Sequence, residues 1–259
     1  MRITSLGFRT DVTLRALEGG EVTDRGGYLV IRTPDNPNYW WGNFLLLAHP
    51  PETGQSQAWL DRFAAEFPAA RHVTLGVDTA GEVAVPADFA AAGFETDRAA
   101  VLTAGRIGPP PHPNPAAEFR PLDSDADWRQ SLDLAVRCFD GDPGDYLERH
   151  AVARRRLTER GTGAWFGAFE GGRLLAQLGL FDVGDGYARY QHVETDPEAR
   201  RQGLSGTLVW HAGRYGTDVL GARTLVIVAE TAGEAIRVYR SCGFAPFESQ
   251  LSFERPSAD

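Results

Sequence analysis

Residues 194–206 of this 259-residue chain read ETDPEARRQGLSG, and this stretch decides how the sequence is interpreted. The stretch begins at the end of residues 187–195, which alternate as a β-strand does. It ends at the start of a segment with helical spacing, which begins at Leu204. The first turn of a helix has backbone N–H groups without intrahelical partners and lies at the positive end of the helix dipole. The sequence therefore predicts an anion-binding loop at the start of a helix.

Small and basic residues within this loop fit a diphosphate. Gly203, Ser205 and Gly206 allow the backbone to approach a ligand closely, because no large side chain stands in the way. Arg200 and Arg201 add positive charge and guanidinium groups with several donors. The pattern favours a ligand that carries phosphate groups.

A second segment, residues 235–244, reads AIRVYRSCGF. Together the two segments resemble the signatures of the GNAT superfamily, the acetyl-CoA-dependent N-acetyltransferases. Residues 200–205 (RRQGLS) resemble their R/Q-x-x-G-x-G/A loop, and the second segment resembles their helix that carries a tyrosine and ends in Gly-Phe. The resemblance covers residues 117–255 well, whereas residues 1–104 resemble a degenerate copy.

Five prolines between residues 109 and 115 fix φ angles and remove backbone donors, which forbids a helix or a central strand there. We therefore predict three segments: a degenerate GNAT-like domain at 1–108, a proline-rich linker at 109–116 and an acetyl-CoA-binding GNAT domain at 117–259. The resemblance implies an α+β (mixed α/β) fold of two tandem GNAT-like domains. Each would be a twisted, mostly antiparallel sheet flanked by helices.

Periodicity and turn residues give the expected elements of both halves. The second half is expected to contain an antiparallel meander, a buried strand and a helix that Thr231 and Glu234 cap in a capping box. The first half repeats part of this order: strand 40–48, helix 57–67, strand 72–77 and short helix 86–92. Gly54 precedes Gly93 by 39 positions, and Gly203 precedes Gly243 by 40, which predicts a duplicated unit.

Composition excludes several functions. All 26 basic residues counted as Lys+Arg are arginines, so a Walker-A lysine, a kinase strand lysine and a lysine Schiff base are impossible. The formal charge of −9 disfavours nucleic acid as a partner and suits a cationic amine. Cys138 and Cys242 form neither a disulfide framework nor a metal motif, so no metal is expected. No apolar run is long enough to cross a membrane, and we predict a cytoplasmic protein.

The resemblance also implies the cofactor contacts. The end of the strand would pair with the pantetheine arm of acetyl-CoA, and the loop would hold its diphosphate. The candidate cofactor-binding residues are Val193, Glu194, Thr195, Arg200, Arg201, Gln202, Gly203, Leu204, Ser205 and Gly206. Residues 52–57 of the first half have one glycine and no arginine, so we predict a single cofactor site, in the second domain.

For catalysis, the resemblance assigns Tyr239 as the acid that protonates the departing thiolate; the alternative is a tyrosine that only packs against the sheet. The base is less defined, because the family's usual positions hold Arg189 and Gln191 here. Nearby candidates are His192, Glu194 and Glu230. We favour Glu194, although this acid could instead be structural and Glu230 could be a surface carboxylate. Alternation places His192 and Glu194 on one face of the strand unless a bulge changes the register.

Two functions of different classes follow. The first is an N-acyltransferase that transfers an acetyl group to a primary amine of a small molecule, an amino acid derivative or a peptide by direct attack in a ternary complex. The alternative is a catalytically silent acetyl-CoA-binding regulatory or scaffold protein. A tandem-type aminoacyl transferase that uses charged tRNA is disfavoured by the acidic charge and the intact loop. The sequence does not identify the acceptor, and it allows a monomer or a homodimer.

Overall fold

A computed structural model describes residues 1–231 and 233–256. The chain divides into two compact units. Unit 1 contains Met1–Val101 together with the described residues from Phe247 onward, and unit 2 contains Leu102–Pro246. This division differs from the predicted segments in three respects: residues 102–108 belong to unit 2, residues 109–116 also belong to unit 2, and the C-terminal strand belongs largely to unit 1.

Unit 1 contains a five-stranded sheet in the order β1-β2-β3-β4-β11. Only the β3–β4 pair is parallel; the other neighbours are antiparallel. The elements are α1 (Leu6–Leu17), β1 (Glu21–Asp24), β2 (Tyr28–Arg32), a 3-10 turn (Trp40–Gly42), β3 (Phe44–Leu47), α2 (Ser56–Glu66), β4 (His72–Val77), α3 (Ala87–Ala91), the first part of β5 (Glu95–Ala104) and the last part of β11 (Ala245–Pro256).

The apolar strand β3 explains why helices cover both faces of this sheet. Its four residues alternate in direction, and all are buried. Phe44 and Leu46 pack with Phe8 of α1 on one face. Leu45 and Leu47 pack with residues of α2 on the other. A strand buried on both sides reads as a continuous hydrophobic run, as this one does.

Unit 2 contains a second sheet in the order β10-β9-β8-β7-β6, in which only β9 and β10 are parallel. The three consecutive strands β7, β8 and β9 form the predicted antiparallel meander. The elements are β6 (Glu118–Pro121), α4 (Asp125–Cys138), α5 (Tyr146–Glu159), β7 (Gly163–Glu170), β8 (Arg173–Asp182), β9 (Tyr187–Thr195), a 3-10 turn (Pro197–Ala199), α6 (Leu204–Asp218), β10 (Thr224–Glu230) and α7 (Glu234–Ser241).

The two units repeat one arrangement, which confirms the predicted tandem α+β fold. Each has a parallel strand pair connected by a loop and a helix, and a second helix that follows. The glycines that predicted the duplication occupy matching places and all have positive φ: 89° at Gly54, 84° at Gly93, 76° at Gly203 and 108° at Gly243. Glycine adopts this conformation without steric cost, which accounts for its recurrence at these turns.

The start of α7 differs from the prediction. Gly233 is the N-cap, and no side chain caps the helix there. The N–H of Gly233 donates to the carbonyl of Glu230, so the turn after β10 places the first helical residue at Glu234. The predicted capping box between Thr231 and Glu234 is therefore wrong, because Glu234 lies too early in the helix to be its third residue.

Within the described part of the chain, none of the helices combines the length and the apolar character needed to cross a bilayer.

Candidate functional site

A groove of about 740 Å³ in unit 2 collects nearly all the predicted cofactor-binding residues. It lies along the end of β9, the following loop and the start of α6, with α7 on one side. The predicted residues that line it are Val193, Glu194, Thr195, Arg200, Arg201, Gly203, Leu204, Ser205 and Gly206. Gln202 is the member of the predicted set that does not line it.

The loop before α6 has a backbone suited to an anion. Gly203 is the N-cap of α6 and has a φ of 76°, and Arg201 also has a positive φ, of 64°. Left-handed residues within a turn direct successive N–H groups toward a common point. The amides in the first turn of α6 add donors without intrahelical partners. Arg200, Arg201 and Arg237 supply positive charge to the groove.

The proline-rich segment forms one wall of this groove, through Pro110, Pro111 and His112. A Cβ atom on Gly203 would lie 2.3 Å from the carbonyl oxygen of His112, and one on Gly206 would lie 3.0 Å from Cβ of Pro110. The two glycines therefore allow the close approach of this segment, whereas their role in the approach of a ligand stays a prediction. Sequence reasoning treated the segment as a connector and missed this role.

Asn114 fastens the proline-rich segment to the loop. Its backbone N–H donates to Oγ1 of Thr207 at 2.9 Å, and its side-chain Nδ2 donates to the carbonyl of Gln202 at 2.9 Å. Its Oδ1 accepts from the N–H groups of Ala116 and Ala117 at 3.0 and 2.8 Å. The side chain thus fixes the turn that follows the prolines and joins it to the loop before α6.

We expect Asn114→Ala to lower the free energy of unfolding by about 1–2 kcal/mol, because it removes three partly solvated hydrogen bonds. Asn114→Asp keeps the acceptor for Ala116 and Ala117 but loses the donor to Gln202, so its free energy of unfolding should fall by less than that of Asn114→Ala. Urea unfolding of the three proteins measures the difference. Equal stability of Asn114→Ala and the wild type would mean that these bonds do not hold the segment.

A β-bulge interrupts β9 beside the groove. Gln177 pairs with Glu194 and Gly179 pairs with Gln191, so one residue of β8 stands opposite two of β9. His192, at the bulge, has a φ of 44°. The simple alternation predicted for β9 therefore does not apply beyond Gln191, since the extra residue changes the register.

The pairing of β9 with β10 stops just before the bulge. Their ladder ends at Arg189 and Val226. A second cavity, of about 400 Å³, lies between the separated strands and α7, and it includes Glu230 and Tyr239 among its lining residues. Both cavities are lined by Val193, Glu234 and Ala235, so they adjoin at the end of β9.

Tyr239 lies on α7 with its side chain 4% exposed, and it lines the second cavity. Its ring packs edge to face with that of Phe244. Burial raises the pKa of the phenol, with a smaller contribution from Cys242, so the hydroxyl carries its proton at neutral pH. The residue predicted to be an acid is thus held in the form that can donate.

Glu194 is partly buried at the end of β9. The amide Nε2 of Gln177 donates to its Oε2 at 2.6 Å. Burial raises the pKa of Glu194, whereas the charge of Arg154 and the hydrogen bond from Gln177 lower it. Two neighbours therefore favour the carboxylate against the cost of desolvation.

The other candidates for a base have different surroundings. Arg189 and Gln191 are buried in β9, with 5% and 9% exposure. His192 lies against the ring of His150, at 4.8 Å between ring centres. Glu230 is exposed at the end of β10, where it lines the second cavity.

The structure adds groove residues that the sequence did not single out for the site. Cys138 of α4 lines the groove, and its thiol donates to the carbonyl of Thr195 at 3.5 Å. Burial, followed by the charge of Glu194, raises its pKa to about 11. Arg237 of α7 also lines the groove. The second signature specifies only its tyrosine and its Gly-Phe end, so it did not identify this arginine as a groove residue.

The equivalent loop of unit 1 is filled by the protein itself. The backbone N–H of Ser56, the first residue of α2, donates to Oδ2 of Asp88 at 3.0 Å. That hydrogen bond is the main cause of a lowered pKa at Asp88, and the N–H of Gly54 contributes. The carboxylate of Asp88 thus binds the backbone at the start of α2, whereas the corresponding amides at the start of α6 in unit 2 face the groove. This supports the prediction that unit 1 holds no diphosphate.

The sequence profile described as the acetyltransferase (GNAT) family matches residues 128–244. That range contains the loop before α6, the bulge in β9 and Tyr239. We found no match among curated proteins.

Solved structures share the fold along nearly the whole chain. A GCN5-related N-acetyltransferase from Kribbella flavida aligns with a TM-score of 0.64 at 15% identity, over 98% of both chains. A tandem GNAT protein from the clavulanic acid biosynthesis pathway aligns with a TM-score of 0.55 at 15% identity, over 98% of this chain and 95% of that one. A functionally unknown conserved protein from Staphylococcus epidermidis gives 0.71 at 11% identity, over 92% and 95%.

Proposed function

Because residues 128–244 belong to the acetyltransferase (GNAT) family, we propose that this protein transfers an acetyl group from acetyl-CoA to a primary amine of a small molecule, an amino acid derivative or a peptide. The amine attacks directly in a ternary complex. One observation carries the proposal: the groove at the anion-binding loop adjoins the cavity that holds Tyr239, and the two meet at the bulge in β9.

The chemistry of the groove suits acetyl-CoA, the acetyl donor. Its diphosphate needs backbone N–H groups and positive charge, which the first turn of α6 and the three arginines supply. Gly203 allows the proline-rich wall of the groove to approach the N-cap of α6, which a side chain there would prevent. When bound, acetyl-CoA supplies a thioester whose acyl carbon is open to attack by an amine.

The protein's own residues then transfer protons and orient the reacting groups. We assign Glu194 as the group that accepts the proton lost by the amine, because its partly buried carboxylate lines the groove next to Val193, where the two cavities adjoin. Tyr239, held protonated, donates to the departing sulfur. The ladder between β9 and β10 ends at Arg189 and Val226, and the thioester arm would lie along the end of β9 beyond that point.

Calorimetry with acetyl-CoA and a thiol-release assay with a panel of amines test the proposal together. We expect saturable binding and acceptor-dependent release of CoA thiol. Binding without any acceptor-dependent release would favour the alternative, a catalytically silent acetyl-CoA-binding protein. No binding at all would remove both functions.

Tyr239→Phe should lower kcat about 100-fold, which lies within the usual range for a general acid, and leave the affinity for acetyl-CoA nearly unchanged. Tyr190→Phe is a matched control. Tyr190 lines the same cavity and is 2% exposed, but its hydroxyl donates to the carbonyl of Val209 at 2.8 Å. Tyr190→Phe should lower the free energy of unfolding and leave kcat nearly unchanged. An unchanged kcat for Tyr239→Phe would remove its role as the acid.

Bound acetyl-CoA should protect Cys138 from alkylation. Cys138 lines the groove, whereas Cys242 is 1% exposed, so Cys138 is the more reactive thiol. Its pKa of about 11 means that the reaction must be followed at alkaline pH. At acetyl-CoA concentrations ten times Kd the rate should fall about tenfold, because only the free protein reacts. Acetyl-CoA has no free thiol that consumes the reagent, and Cys138→Ser gives the background. An unprotected Cys138 would place the bound donor outside the groove.

A further inference from the structure

A buried side-chain amide contacts Glu194 from the neighbouring strand. Gln177 of β8 is fully buried, and all of its side-chain hydrogen-bonding capacity is used. Its Oε1 accepts from Nε1 of Trp165 at 3.0 Å and from the hydroxyl of Ser131. Its Nε2 donates to the carbonyl of Ser131 at 3.0 Å and to Oε2 of Glu194 at 2.6 Å.

These partners determine which way the amide faces. The indole N–H of Trp165 can only donate, so the atom that faces it must be the oxygen of Gln177. The backbone carbonyl of Ser131 can only accept, so the atom that faces it must be the nitrogen. The orientation therefore follows from two groups that do not include Glu194. The remaining N–H of the amide points at the carboxyl group as a consequence.

We propose that Gln177 is a positioning residue for the transfer reaction: its amide, locked by Trp165 and Ser131, fixes one oxygen of Glu194 and favours the carboxylate over the protonated acid. This inference rests on the proposed function, in which Glu194 accepts the proton. An amide N–H stabilises an acceptor and cannot accept a proton from a carboxylic acid at the same contact. The other oxygen of Glu194 does not receive this bond and remains the one available to the reaction.

Other charged and titratable groups also face this position. Arg154 of α5 is 3% exposed, lies over the ring of Trp165 at 4.6 Å and acts on Glu194 by its charge. Cys138 of α4 lies near Glu194 and is held as a thiol. His192 of β9 contacts His150 of α5. The hydrogen bond from Gln177 is the specific contact among them, because it reaches one oxygen of the carboxylate.

The experiment measures the titration of Glu194 in the full-length protein by NMR of ¹³C-labelled glutamate, with Glu194→Gln to assign the signal. Gln177→Met removes the donor at similar volume, and its titration midpoint should rise by about one pH unit. Gln177→Glu keeps the shape and an oxygen for Trp165 but adds a second carboxyl group, so its midpoint should rise further. Ser131→Ala removes a hydroxyl and keeps the backbone carbonyl, so its midpoint should stay within about 0.2 of the wild type.

A rise in both Gln177 variants without one in Ser131→Ala supports the proposal. An unchanged midpoint in Gln177→Met overturns it, and so does an equal rise in Ser131→Ala. Should Gln177→Met fail to fold, an unchanged midpoint in Gln177→Glu overturns it instead. The titration needs no acceptor, so it is independent of turnover. Loss of the proposed function itself would appear separately, as absent thiol release in the wild type.

Discussion

Replacing Gly203 with alanine is expected to weaken acetyl-CoA binding about 100-fold, a loss of about 2.8 kcal/mol. Two effects combine. The left-handed conformation at a φ of 76° costs an L-residue about 1–2 kcal/mol. The new Cβ atom would also lie 2.3 Å from the carbonyl oxygen of His112, so the proline-rich wall or the start of α6 must move. Calorimetry with acetyl-CoA measures the loss.

Gly221→Ala is the matched control for this substitution. Gly221 is in the same unit and has a φ of 67°, but a Cβ atom there would have no neighbour within 4 Å. It should therefore lose stability through the positive φ alone and keep its affinity for acetyl-CoA unchanged. If Gly203→Ala binds acetyl-CoA as tightly as Gly221→Ala does, the loop before α6 is not the donor site.

Replacing Glu194 with glutamine is expected to lower kcat by about 100- to 1000-fold, the range typical of a general base. Acetyl-CoA affinity should change little. Because burial raises the pKa of Glu194, the wild-type rate should increase with pH as the carboxyl group loses its proton, and the variant should lack that increase. Thiol release measured across pH with one amine tests this, since the amine's own titration is common to both proteins.

Glu230→Gln provides the comparison for the base. Glu230 lines the cavity of Tyr239 but is exposed at the end of β10. We expect its removal to change kcat less than twofold or threefold, because an exposed side chain at the strand end is not held in place against the substrate. The reverse result, a large loss at Glu230 and none at Glu194, would transfer the role of base to Glu230.

Local patterns predicted the loop before α6 and the position of Tyr239, because both depend on residues close together in sequence. The φ of Gly203 agrees with the glycine that the same short stretch has at that position. The bulge at His192 could not be placed this way. It depends on how β9 pairs with β8, and residues 187–195 alternate in sequence as an ordinary strand does.

Contacts between distant residues account for most of what the sequence did not reveal. His112 lies 91 positions before Gly203, and nothing in the proline run indicates that it would wall the groove. In unit 1, the sequence showed that residues 52–57 lack arginine, but not that Asp88 fills the position. Helix α1 was also missed, because its apolar residues become recognisable as one face only against the sheet that they cover.

The place of the last strand has a consequence for how the chain is made. Residues 251–256 of β11 pair with residues 72–77 of β4, so the sheet of unit 1 cannot be completed until residues 251–256 have been translated. Between the two portions of unit 1 lie the 145 residues of Leu102–Pro246, which a ribosome takes roughly 7–30 s to add. During that interval β4 presents an unsatisfied edge to other chains. Nascent protein thus has an aggregation risk at β4 that lasts until residues 251–256 are available to pair with it.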